Sequence, residues 1–187
     1  MRVSRTFAAM LAGVFLSAWA AVVLADPPGA SGSGSVSLAN AVATLEKSSG
    51  GRVLEIRYNG PGTEGTYSAV IAAKGKLTHE RLDVRTNKVE DITSSKPDWM
   101  LSWEKRADIS SIEKATVPLP QAIMKAEKNL DGPAVAAGLA KALSPTNSVL
   151  AYNIAVLRDG RPQRVAVDAN TDEVIADSSM FDSWAIQ

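Results

Sequence analysis

Tyr152 to Asp177 reads YNIAVLRDGRPQRVAVDANTDEVIAD, and an earlier stretch, Tyr67 to Ile92, reads YSAVIAAKGKLTHERLDVRTNKVEDI. Laid over each other at a constant offset of 85 residues, they agree at Tyr67/Tyr152, Gly75/Gly160, Asp83/Asp168, Thr86/Thr171 and Val89/Val174. The agreements fall where a strand, a glycine hairpin, a second strand and a closing turn need them. Upstream of each block, Leu38, Ala41, Glu46, Lys47 and Gly51 recur as Leu119, Ala122, Glu127, Lys128 and Gly132 at an offset of 81. The chain therefore reads as one supersecondary unit used twice, with four extra residues in the second copy.

Outward from these blocks, each copy begins with an amphipathic helix. Ser37 is placed as an N-cap, and Leu38, Ala41, Val42 and Leu45 share one helical face. The second helix repeats the stripe with Leu119, Ala122, Ile123, Ala126 and Leu130, with Pro120 in its first turn. After the first helix, Leu54, Ile56 and Tyr58 alternate with Glu55 and Arg57, which predicts a half-buried strand. Tyr67–Ala73, Glu80–Arg85 and a short Val89–Ile92 follow as strands. Ala134 to Leu143 is rich in alanine, which favours helix, but the repeat places a strand there, and we read it as one. The fold expected from this pattern is α+β: two units, 37–92 and 119–177, each one helix packed on a small antiparallel sheet. A linker, 93–118, joins them. It carries a helix started by Pro97, with Trp99, Trp103 and Ala107 at four-residue spacing.

The two ends of the chain are different in kind. Arg2 and Arg5 precede an apolar stretch from Thr6 to Leu24, and small residues stand before Asp26, a signal peptide over 1–25 with cleavage after Ala25. Without cleavage the same run would anchor the chain in a membrane. Residues 26–36 form a Pro/Gly/Ser-rich tether. There is no cysteine, which removes disulfides, thiolate chemistry and lipid attachment at a cysteine. Setting aside Arg2 and Arg5 leaves 18 basic against 20 acidic residues, interspersed, so nucleic acid is not an expected partner. The tail, 178–187, carries Met180, Phe181, Trp184 and Ile186 and is expected to dock on a sheet face or on the linker helix. Trp99, Trp103, Phe181 and Trp184 are the candidates for contact with a partner.

Catalytic or metal chemistry finds little to stand on. Asp168, Asn170 and Asp172 alternate like the start of a calcium loop, but Glu173 stands where glycine is needed and Ser179 where a bidentate glutamate is needed. The reading preferred for Asp83 and Asp168 is a carboxylate capping a turn, with Asn87 and Asp172 accepting a left-handed backbone. His79 is the single histidine and is placed in solvent beside Glu80. No phosphate-binding glycine loop, zinc-protease or hydrolase motif is present, and no enzyme, metal or cofactor is expected.

The helix segments LANAVATLEK and LPQAIMKAEK, the strand GGRVLEIRY, the tyrosine-led strands TYSAVIA and AYNIAVL, and the closing LDVRTNKVED and VDANTDEVIAD together resemble the PepSY domain in tandem. The family's last turn usually carries glycine where Asn87 and Asp172 stand. The resemblance implies an exported or membrane-attached bacterial protein without catalytic residues. It also implies a binding or regulatory role toward an envelope protein, with restraint of a peptidase as one form. Alternatives are a periplasmic binder of a metal ion or small ligand in a cleft between the units, and a soluble accessory to a membrane redox enzyme.

Overall fold

The computed structural model describes residues 36–61, 64–97, 103–143 and 148–177. Helix α1 (Leu38–Ser49) is followed by strands β1 (Arg52–Asn59), β2 (Thr66–Ala73), β3 (Lys76–Asp83) and β4 (Val89–Pro97). Helices α2 (Trp103–Lys114) and α3 (Leu119–Leu130) come next, then β5 (Ala134–Leu143), β6 (Ser148–Arg158), β7 (Arg161–Asp168) and β8 (Val174–Asp177).

All eight strands form one antiparallel sheet in the order β4-β3-β2-β1-β5-β6-β7-β8. This corrects the expected architecture: the chain is not two helix-on-small-sheet units held apart by a helical linker. β1 and β5 pair directly, Glu55 with Gly138, Ile56 with Ala137 and Arg57 with Ala136. Ala137 follows Ile56 by 81 residues, the offset of the upstream echo, so the seam pairs a residue with its own counterpart. A local two-fold relation passes between those two strands. α1 and α3 pack on each other above it, and one core runs through both halves, from Leu38, Ile56 and Ile71 to Ile123, Ile154 and Val167.

Corresponding residues make corresponding bonds. The Tyr67 hydroxyl donates to the Val36 carbonyl and the Tyr152 hydroxyl to the Val117 carbonyl, both at 2.8 Å. Glu46 Oε1 accepts the amide of Val53 at 3.0 Å, and Glu127 Oε1 that of Ala134 at 2.9 Å. These bonds tie each helix to the strand after it and each second strand to the segment before the helix. Asn40 donates its amide to Ser37 Oγ at 3.3 Å, the expected N-cap of α1. Ala134–Leu143 is a strand in spite of its alanines, because its neighbours β1 and β6 supply backbone partners on both sides.

Other expectations shift. β4 runs to Pro97, so that proline closes a strand at the sheet's rim, where a missing amide is tolerated, and does not open a helix. β3 and β7 start earlier than expected, directly after their hairpin glycines. The four extra residues of the second copy lengthen the β5–β6 hairpin, whose ladder reaches Leu143 opposite Ser148. Gly51 and Gly132 are corresponding positions of close approach: a Cβ there would collide with the backbone carbonyl of Ala72 or of Leu157. Gly132→Ala should therefore cost about 1–3 kcal/mol, measurable as a fall in the urea midpoint with unchanged m-value. An unchanged midpoint would show that the strands part there without strain.

Candidate functional site

The helices cover one face of the sheet. On β1, β2 and β3 that face carries Ile56, Tyr67, Ala69, Ile71, Glu80 and Leu82, all buried. The other face presents Glu55 and Arg57 of β1, Ser68 and Val70 of β2, His79 of β3 and Ile92 of β4. With Asn59 they line a shallow groove of about 310 Å³. Sheet register assembles it: Arg57 stands opposite Ser68, Val70 opposite both Glu55 and His79. Arg57 Nη2 meets Glu55 Oε1 at 3.1 Å, and Asn59 Nδ2 donates to Ser68 Oγ at 3.0 Å, so two polar pairs flank the apolar side chains. Ile92, 44 % exposed, is among the few large apolar side chains open to solvent.

The sequence-predicted motif residues are brought to other places. Tyr67 and Tyr152 are fully buried beneath the helices, and burial pushes both phenols up from their ordinary range. For Tyr152 the Arg52 guanidinium of the other half acts in the opposite direction, by charge and by a hydrogen bond. Gly75 and Gly160 both sit at φ 70°, each after a residue at φ 51° (Lys74, Asp159), the conformation of tight hairpins. Asp83 Oδ1 accepts the Thr86 amide at 2.7 Å and the Thr86 hydroxyl at 2.8 Å. Those bonds hold its carboxyl below the usual carboxylate range. Asp168 Oδ1 accepts the amides of Asn170 and Thr171 at 2.7 and 3.0 Å. Asn87 and Asp172 are left-handed at φ 53° and 62°. Asp172 also meets Lys125 Nζ and Gln121 Nε2 of α3, each at 3.2 Å. These turns close strands and converge on no common site. Trp103 opens α2; Trp99, Phe181 and Trp184 lie outside the described residues.

His79 is exposed, as expected, but lies within β3 and inside the groove. Sequence reasoning did not assemble the groove. Its one signal was the alternation that turned Glu55 and Arg57 away from Ile56, while Ser68, Val70 and Ile92 join them only through strand pairing. Nor did it find Glu80 on the helix-covered face, 8 % exposed, with Oε2 lacking a hydrogen-bond partner. Burial, and then the nearby Asp91 charge, raise its pKa. A raised carboxyl pKa in the folded state favours folding below the ordinary carboxylate value, and that benefit disappears as pH rises through the folded value. Glu80→Gln should therefore raise the melting temperature at pH 7, the gain shrinking as pH falls toward 4. A gain independent of pH would assign the effect to packing.

Among the described residues no group of three or more His, Asp or Glu is placed to hold a metal ion, and no helix is long and apolar enough to cross a membrane. No family model matches the chain, and no curated protein matches it. A similar solved structure is that of a candidate lipoprotein from Clostridium difficile 630, with a TM-score of 0.50 and 16 % identity. The match covers 82 % of this chain and 99 % of that one. At that identity the likeness is one of fold alone.

Proposed function

We propose that this protein is a non-catalytic, exported binding protein that holds another envelope protein on the helix-free face of its sheet. The observation that carries the reading is the one-sided cover. Helices bury one face, while the β1–β4 part of the other offers an open groove with paired polar groups around Val70 and Ile92. A shallow mixed surface beside the free edge of β4 suits a protein partner better than an enclosed small ligand. The expected cleft between two units is not available to a metal ion or small molecule, since β1 and β5 are hydrogen-bonded neighbours.

The described residues and the likeness to a candidate lipoprotein are compatible with an exported or envelope protein. The periplasm is our placement, supported by the leader-like first 25 residues and by a sequence without a cysteine for lipid attachment. The resemblance to PepSY domains makes an envelope peptidase our first choice of partner.

The test is capture from envelope extract with the chain from Asp26 onward, beside a His79→Glu, Ile92→Glu variant whose changes lie on exposed side chains. The expected result is a protein retained by the first and held about tenfold more weakly by the second, with inhibition if that protein is a peptidase. Equal retention by both would overturn the assignment of the face.

A further inference from the structure

The helix-free face is not uniformly open. Ala151 and Ala166 are completely buried and Ala140 is 4 % exposed, although none of them faces a helix. Their strand neighbours do: the Tyr152 hydroxyl reaches the Val117 carbonyl, and Val165 and Val167 belong to the main core. Ala151 and Ala166 form a second cluster, with Val149 and Ile175 packed against it. Ala136 and Ala155, paired on the same face nearer the β5–β6 strands' other end, are only half-buried. An alanine methyl stands too low on a sheet for its strand neighbours alone to remove all its exposure on two adjacent strands. Atoms from elsewhere lie over the patch.

We infer that the C-terminal segment 178–187 lies across this alanine patch. Topology leaves it as the segment with access. The chain before Val36 enters on the helix side, where the Val36 carbonyl meets Tyr67. Residues 98–102 connect β4, at the far rim of the sheet, to α2. Residues 144–147 close the hairpin between Leu143 and Ser148. Residue 178 instead follows β8 directly, and β8 sets Ala176 opposite Ala166. Ten extended residues reach roughly 33–36 Å, against about 10 Å from β8 to β6 at a strand spacing of about 4.8 Å. The segment carries Met180, Phe181, Trp184 and Ile186, large apolar groups suited to a floor of small ones. Partner binding is thereby left to the β1–β4 part of the face, although the inference does not depend on that reading.

The sequence has no cysteine, so Ala166→Cys gives the chain a single thiol. In the chain from Asp26 onward, that thiol should react with a water-soluble thiol reagent slowly. It should react about tenfold or more faster when Phe181→Ser and Trp184→Ser are added. A Ser68→Cys control on the open part of the face should react at one rate in both backgrounds. Equal protection of the thiol introduced at Ala166, with and without the tail aromatics, would overturn the inference, as would protection that rises with chain concentration, the sign of a second copy. An independent readout covers a poorly folding thiol variant: with Trp99→Phe and Trp103→Phe, Trp184 should resist acrylamide quenching. Quenching as free as that of a tryptophan amide in water would overturn it equally.

Discussion

Tyr152→Ala should lower the free energy of unfolding by about 3–5 kcal/mol, the range for losing a large buried aromatic side chain. Tyr152 is fully buried between β6 and the helices, and its hydroxyl is the hydrogen-bond donor to the Val117 carbonyl at 2.8 Å. Removing the ring leaves a cavity and strands that carbonyl. Tyr152→Phe keeps the ring and should cost about 1–3 kcal/mol, the desolvation penalty of the abandoned acceptor. The same pair of substitutions at Tyr67, whose hydroxyl meets Val36, should repeat both magnitudes. Native folds hold only about 5–15 kcal/mol in total, so either alanine variant should be marginal at 37 °C. Urea midpoints measure the losses, and a fall of less than about 1 kcal/mol for Tyr152→Ala would show that the ring does not fill the core as described.

Ile56→Ala should cost about 2–5 kcal/mol, and its effect should not stay in one half. Ile56 is completely buried, lies opposite Ala69 in β2 and Ala137 in β5, and belongs to the core that runs through both halves. Because β1 and β5 share their backbone pairing, thermal unfolding should remain a single transition with equal calorimetric and van't Hoff enthalpies, moved to lower temperature. Two transitions, with only the lower one moved by Ile56→Ala, would mean that the halves fold separately.

Local features of this fold were legible and long-range ones were not. The stripe Leu38, Ala41, Val42, Leu45 and the Ser37 cap describe α1 because helix period and capping act within a few residues. Gly75, Gly160, Asn87 and Asp172 announce turns because their backbone angles lie where most side chains are strained. Ala134–Leu143 was readable as a strand through its counterpart alone, since alanine's own preference points to helix. The β1–β5 seam joins residues about 80 positions apart, and nothing in the alternation of GRVLEIRY says which neighbour its free edge will take. The same cause hid the groove, whose lining side chains come from four strands. Pro97 misled because a proline fits the first turn of a helix and the end of a rim strand equally well.

The continuous sheet is tested most directly by amide hydrogen exchange across the seam, at Glu55–Arg57 and Ala136–Gly138. The amides that donate between β1 and β5 should exchange as slowly as those in the ladders joining Tyr67 to Leu82 and Tyr152 to Val167. Exchange there at the fast rate of unpaired rim amides, with those ladders still protected, would contradict the account.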